Sequence, residues 1–304
     1  EREEMILPDK TKEKVIELRT ENGEYTYLWE PDNEEGPMLK ITKSSIGTFN
    51  FCNLSYRYNY IESIKQKTSP AMIKGTIVHN AQEEFWKMVK IDDAKKLVKD
   101  PMELQKHFRS LYPETDNEEY EVLYTAMSAY NTERFIECSE DDTLDTFIPI
   151  GNEIKLDAKF TTESGITVHL QGIIDRLFFE DNGYIPMELK TGAWKDSKKT
   201  MMRKEMAFYK LLFDNADREL LIENGLDPNI QFTHWAWYYP ASNYVYAEKV
   251  SKRSETAVLR SIDKLIEAYM ENDFKASFFY KKCIHCGHYD HCEAADGGDQ
   301  YDWF

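Results

Sequence analysis

The chain has 304 residues, of which 41% are apolar and 13% aromatic, so it has the length and the apolar content for a globular core and is excluded from the disordered class. No apolar run reaches bilayer length and no signal-like apolar segment follows the charged start, so the sequence is read as soluble and cytoplasmic, with no membrane partner. The formal net charge of −17 excludes a nucleic-acid-binding surface spread over the whole body, because phosphates must be met by Lys and Arg. One local stretch reverses the sign: Lys190, Lys195, Lys198, Lys199, Arg203 and Lys204 stand against Asp196 alone.

In chain order, residues 14–30 read as a hairpin around Asn22-Gly23, and 31–37 as a polar loop. Ser44 is placed to cap a helix running towards Tyr60. A second helix follows Pro70, with Ile73, Ile77, Val78, Ala81, Phe85 and Met88 at helical spacing. Residues 93–145 look helical, broken near Pro113. Their acidic part, 114–145, holds eleven acids against the single base Arg134 and is read as an insertion or lid, or as a surface for a basic partner. Strands are expected at 152–160, 166–179 and Tyr184–Lys190, with Asp181-Asn182 as the turn between the last two. A helix from about Asp196 to Phe213 precedes an aromatic hairpin, 231–239 and 243–250, closed around Pro240. An amphipathic helix, Ser254–Glu271, leads into an irregular tail carrying three cysteines. This order implies an α/β or α+β layered core with a mostly antiparallel meander. No G-x-x-x-x-G-K-[ST] loop is present, which argues against ATP-driven activity in this chain.

The most informative segment runs from Gly172-Ile-Ile-Asp175 to Glu188-Leu-Lys190. If Asp181-Asn182 is a two-residue turn, Glu180 pairs with Gly183, and counting back puts Asp175 opposite Glu188. Two carboxylates at that separation repel unless a cation lies between them, and hard oxygen ligands suit Mg²⁺ or Mn²⁺. Lys190 shares the face of Glu188 and offers an ammonium to orient a water or stabilise phosphorane charge. An ordinary charged surface hairpin fits the same pattern, and Pro186 is expected to disturb the ladder. The cysteines are Cys52, Cys138, Cys283, Cys286 and Cys292; three fall within ten residues and point to a metal rather than to disulfides. His285, His288 and His291 interleave with them, so these residues taken alone favour a Cys₃His zinc site.

Asp175, twelve residues, then Glu188-Leu-Lys190 resembles the PD-(D/E)XK nuclease core. Gly-Ile-Ile-Asp-Arg followed by Glu-Leu-Lys-Thr-Gly is similar to its RecB-like branch, which includes CRISPR-associated exonucleases and the AddB nuclease domain. Gly75-Thr-Ile-Val-His79 resembles the helix that supplies a histidine ligand, and Glu205-Met-Ala-Phe-Tyr209 resembles the family's Gln-x-x-x-Tyr motif, with Glu in place of Gln. Gly75 is read as a site of close backbone approach. Ser44 through Cys52-Asn-Leu-Ser-Tyr resembles the helix carrying the first cluster cysteine. The resemblance covers about 41–90 and 150–293. It implies a mixed central sheet flanked by helices, and a Mg²⁺- or Mn²⁺-dependent deoxyribonuclease acting on single-stranded DNA or duplex ends. It further implies metal ligation by His79, Asp175, Glu188 and the Leu189 carbonyl, with Lys190 at the attacking water and Glu205 and Tyr209 positioning substrate. A [4Fe–4S] cluster on Cys52, Cys283, Cys286 and Cys292 follows from it in preference to zinc, and so does a protein partner in a recombination, repair, phage or CRISPR complex.

Lys195, Lys198, Lys199, Arg203 and Lys204 are candidate phosphate contacts. Tyr56, Tyr58, Tyr60, Trp194, Trp235, Trp237, Tyr238 and Tyr239 are candidate stacking surfaces, most of the 235–239 group being expected in the core. The domain reading is an extension at 1–40, a nuclease domain at 41–293 with the 93–145 insertion, and an acidic tail at 294–304. The alternatives are a catalytically silent DNA-binding scaffold and a zinc-stapled regulatory protein.

Overall fold

A computed structural model describes residues 38–295 except Lys65 and Lys67. The hairpin expected at 14–30 lies outside the described residues, as does most of the acidic tail. A six-stranded mixed sheet organises the rest: β1 (Leu39–Thr42), β2 (Gly151–Thr161), β3 (Thr167–Glu180), β4 (Gly183–Leu189), β5 (His234–Tyr239) and β6 (Tyr244–Lys249). The path β1-β3-β4-β5-β6 carries β2 as a further partner of β3. The β1–β3 and β4–β5 pairs are parallel and the rest antiparallel, so the sheet is mixed as the resemblance implies, β2–β3–β4 form the antiparallel meander, and only β1 was missed from the sequence. Four residues between a loop and a helix give too short an alternation to read as a strand.

Both faces of the sheet are covered, and β5 shows why. Trp235, Trp237 and Tyr239 point into one core layer, Ala236 and Tyr238 into the other. Period-two alternation in a strand buried on both faces gives a continuous apolar run. One cover comprises α1 (Lys43–Phe51), α7 (Lys199–Asn215) and α9 (Lys252–Glu271), which supply Ile46, Phe208, Leu212 and Leu265. The other comprises α3 (Pro70–Met88), α4 (Ile91–Leu97), α5 (Pro101–Ser110) and α6 (Glu118–Glu140). The segment read as an insertion or lid is thus a packed layer. Phe108, Phe135 and Phe147 join Phe85 and Trp86 beneath the sheet, and Tyr130 stacks on Tyr238 with centroids 4.4 Å apart. Deep burial of six of the candidate stacking residues (Tyr56, Tyr58, Trp235, Trp237, Tyr238 and Tyr239) removes them as base platforms, leaving Tyr60 and Trp194 partly open. On α3, Val78, Ala81 and Phe85 face the core as expected, but Ile73, Ile77 and Met88 are exposed.

Local chemistry explains the joints. Thr42, not Ser44, caps α1, accepting from the Ser45 amide at 3.0 Å while the Ser45 hydroxyl reaches back to the Thr42 amide. The helix predicted to reach Tyr60 stops at Cys52, whose extended backbone separates α1 from α2 (Asn53–Tyr56) and the wide turn Arg57–Ile61. Asp181 and Asn182 both adopt positive φ, the type I′ geometry that fixes the β3–β4 register. A β-carbon at Gly183 would stand 2.1 Å from Thr233, so only glycine lets β4 meet the incoming loop. Gly75 has no such reason: a β-carbon there would meet nothing within 4 Å, which corrects the close-approach reading. Pro186 stays within β4, opposite Leu177, in the gap between the isolated Tyr184–Phe232 bridge and the β4–β5 ladder that starts at Met187. Its missing amide therefore costs no ladder bond.

Candidate active site

The β3–β4 register is the one counted from the turn: Glu180 pairs with Gly183 and Arg176 with Met187. The ladder ends there. Asp175 and Glu188 stand one step further, where the strands part. The Leu189 amide donates to Asp175 Oδ2 at 3.2 Å, and His79 from α3 brings Nε2 to 3.0 Å from the Leu189 carbonyl and Nδ1 to 3.5 Å from Asp175 Oδ2. The sequence-predicted set of His79, Asp175, Glu188, the Leu189 carbonyl and Lys190 is thus brought together around one cavity of about 330 Å³.

Glu188 is 2% exposed and ringed by donors. Tyr209 donates to its Oε1 at 2.9 Å, Lys190 lies 3.6 Å from Oε2, and Lys43 from the first turn of α1 makes an ion pair with it. Burial would raise this carboxyl, but Lys43 and Lys190 hold it well below the usual carboxylate range. Asp175 moves the other way, pushed up by burial and then by the Glu188 charge. The upward push on Asp175 comes from burial and from a neighbouring like charge, both of which a cation between the carboxylates would relieve.

Two residues missed from the sequence belong here. Lys43 carried no pattern to mark it. Glu153 had one: the register of β2 with β3 sets Asn152 against Arg176 and Ile154 against Ile174, so Glu153 stands opposite Asp175, as counting back from the Thr161–Thr167 pair would have shown. Its φ of +50° is costly for a residue other than glycine within a strand. The same point upsets β3, where Ile174 and Leu177, three apart, face one layer. This paired kink turns the Glu153 carboxylate towards the site, and one ligand atom each from His79, Glu153 and Asp175 falls within 4.8 Å of the others. Burial, then the charge of Asp175, pushes the Glu153 carboxyl up to about 6.

Glu205 and Tyr209 share one face of α7, as the i, i+4 spacing predicts, but their partners are protein groups. Glu205 takes a 2.7 Å ion pair from Lys190. Burial would lower the Lys190 ammonium, yet Glu188 and Glu205 hold it above its ordinary range, so it stays a donor. Tyr209 is buried and its hydroxyl is spent on Glu188. Its contact in the structure is therefore a carboxylate of the site. Among the candidate phosphate contacts, Arg203 is committed elsewhere, forked onto Glu248 with two 2.7 Å bonds. Lys198 lines the catalytic cavity, Lys195 is exposed, Lys199 pairs with Asp196 at 3.0 Å, and Lys204 lies further along the surface of α7.

On the far side of α1, Cys52, Cys283, Cys286 and Cys292 line a second, small cavity together with His288. The Ser277 and Phe279 amides donate to Cys52 and Cys283 sulfurs, each at 3.4 Å. His288 is 1% exposed with its ring edge-to-face on Tyr58, and neither ring nitrogen finds a hydrogen-bond partner. Cys138 is buried elsewhere, on α6.

The model of the PD-(D/E)XK nuclease superfamily matches residues 40–293. The chain belongs to that superfamily, whose members use divalent metals, and the layered mixed sheet is consistent with its fold. A crystal structure of SSO0001 aligns over 74% of this chain and 97% of that one, at 17% identity and a TM-score of 0.33, too distant a likeness to add to the assignment. No curated protein matches the sequence. Among the described residues, no helix is long and apolar enough to cross a membrane.

Proposed function

We propose that this chain is a RecB-like, Mg²⁺- or Mn²⁺-dependent deoxyribonuclease that shortens DNA from an end, acting on single strands. The observation that carries the reading is the convergence of the His79 imidazole, the Asp175 carboxylate and the Leu189 carbonyl beside the buried Glu188–Lys190 pair. His79, Asp175, Glu188 and the Leu189 carbonyl would hold the ion, with Glu153 as a further ligand. Bound there, a divalent ion lowers the pKa of a water and neutralises charge on the phosphate. Lys190, kept protonated, orients the attacking water and stabilises the developing phosphorane charge. Tyr209 and Lys43 fix the Glu188 carboxylate, and Glu205 fixes the Lys190 ammonium.

The cysteine cavity fits a [4Fe–4S] cluster on three counts. Four thiols converge on it from opposite ends of the domain, and backbone amides already point at two of the sulfurs. Two buried, unpartnered nitrogens of His288 border it, as expected where a polar group completes the wall. A single zinc ion suits less well: tetrahedral bonds of 2.3 Å set thiolates roughly 3.8 Å apart, whereas no three ligand atoms of these cysteines and histidines lie within 4.8 Å of one another.

End-labelled single-stranded DNA with Mg²⁺ or Mn²⁺ tests the enzyme. Wild type should shorten it and Glu188→Ala should not, with labels on the two ends giving the polarity; no cleavage by wild type with its cofactors bound would sink the reading. Iron, sulfide and zinc content of anaerobically purified protein tests the cluster, and stoichiometric zinc without iron would replace it.

A further inference from the structure

A groove of about 720 Å³ runs from the catalytic cavity along α1 and α7 to the cysteine-bearing tail, sharing Lys43 with the first and Cys286 with the last. Its lining reverses the sign of the molecule. Lys204 and Lys282 face it, together with two groups already paired, Lys43 with Glu188 and Glu205 with Lys190, on a chain of net charge −17. Among the described residues Lys204 makes no ion pair, its partner being Asn50 Oδ1 at 3.4 Å, and Lys282 donates to the Ser277 carbonyl at 3.2 Å and lies 4.5 Å above the ring of Phe51. Phe51, at the end of α1, is 37% exposed and borders both this groove and the cysteine cavity.

We infer that this groove is the track that holds a single nucleic-acid strand leading to the carboxylates, with Lys204 and Lys282 on phosphates and Phe51 against a base. The inference deepens the nuclease reading and rests on it. Ammonium groups along a groove with an open aromatic face make up the chemistry that binds single strands without regard to sequence. The volume lies in the range of pockets that enclose small ligands, so it admits a few nucleotides of one strand and not a duplex. The negative charge elsewhere confines phosphate binding to this path, because like charge repels the strand from the rest of the surface. Lys43, shared by groove and catalytic cavity, marks the point where the strand passes from binding to chemistry.

The test is binding of a fluorescein-labelled oligo-dT 12-mer in Ca²⁺, read by anisotropy from low to high salt. The double variant Lys204→Glu/Lys282→Glu should weaken binding at least tenfold. It should also make the salt dependence shallower by roughly 1.4 in log–log slope, two contacts at about 0.7 each. Phe51→Ala should cost about tenfold with the slope unchanged, since stacking releases no counterions. Lys95→Glu/Lys99→Glu, the same charge change on the opposite helical layer, should leave binding as in wild type, and circular dichroism confirms that each variant is folded. A blunt duplex of equal length should compete poorly. Wild-type affinity in both groove variants, or a duplex competing as well as the single strand, overturns the track. Cleavage of the same oligonucleotide in Mg²⁺ is read alongside. Cleavage with undiminished groove-variant binding sinks the track and spares the nuclease; groove-dependent binding with no cleavage by wild type sinks the nuclease and spares the track.

Discussion

The carboxylate centre and the cysteine centre both gather residues far apart in sequence, but the chain positions them by different means. Asp175, Glu188 and Glu153 sit on three adjacent strands whose hydrogen-bond ladders fix them, and Glu188 is held by Lys43, Lys190 and Tyr209 in the core. The cysteines sit on the break between two short helices and on a tail with little regular structure, three of the four partly exposed. One centre is held by the sheet whether or not an ion is bound; the tail of the other is held by a few contacts, among them His288 on Tyr58 and the Ser277 amide on Cys52, to which the proposed cluster would add. The two should therefore fail differently when their residues are changed.

The largest effect is expected at Glu188. Glu188→Gln keeps the shape of the side chain and removes its charge, so cleavage should fall by roughly 10³-fold or more and the melting temperature should drop, because Lys43 and Lys190 lose a buried partner, while the iron content stays near wild type. If the iron were lost as well, the two centres would not be independent. Cys286→Ser should do the reverse: the iron is lost, and hydrogen exchange rises in the tail before it rises in β3 and β4. Equal exchange in all three would show that the tail supports the sheet.

Next comes Gly183→Ala, which drives a β-carbon onto Thr233 and should cost about 1–3 kcal/mol by chemical denaturation, reporting the rigidity of β4 itself. Glu153 sharpens the comparison further. Replacing it with glycine removes a strained φ worth about 1 kcal/mol while deleting a ligand, so the protein should gain stability and lose Mn²⁺ affinity by titration calorimetry. A loss of both would mean that Glu153 is structural.

The smallest effect is at the sheet edge. Burial would raise Glu248, yet Arg203, with Tyr246 and Trp235, holds it below the usual range. A depressed carboxyl stabilises the fold above its unfolded pKa and loses that contribution as pH falls through its folded value. The gap in melting temperature between wild type and Glu248→Gln, worth about 1 kcal/mol or less at neutral pH, should therefore close under acid.

Much of the carboxylate centre was legible because its geometry follows from counting. A two-residue Asp-Asn turn fixes a register, and the register places Asp175 beside Glu188. Glu153 obeyed the same rule one hairpin earlier but needed the β2–β3 turn to be counted too. Lys43 was not legible, because a lysine in the first turn of a helix meets Glu188 only through the packing of α1 on the sheet. Tyr209 was found by motif, but its contact with Glu188 was not, since spacing along a helix fixes a face and not a partner. The helical layer at 93–145 was recognised as helix. Its place beneath the sheet depended on Phe108 and Phe135 packing on Phe147, and on Trp86 joining Phe147 to Phe178 of β3, contacts with no periodic signature.

The cysteine cavity also carries a consequence for how the protein is made. Cys52 leaves the ribosome early, and its three companions follow about 230 residues later. At about 5–20 residues per second, that is a wait of roughly ten to fifty seconds during which the thiol has no partner. The sheet and both of its helical covers can form within that interval, so the cysteine-bearing segment docks onto a finished body and closes the cavity.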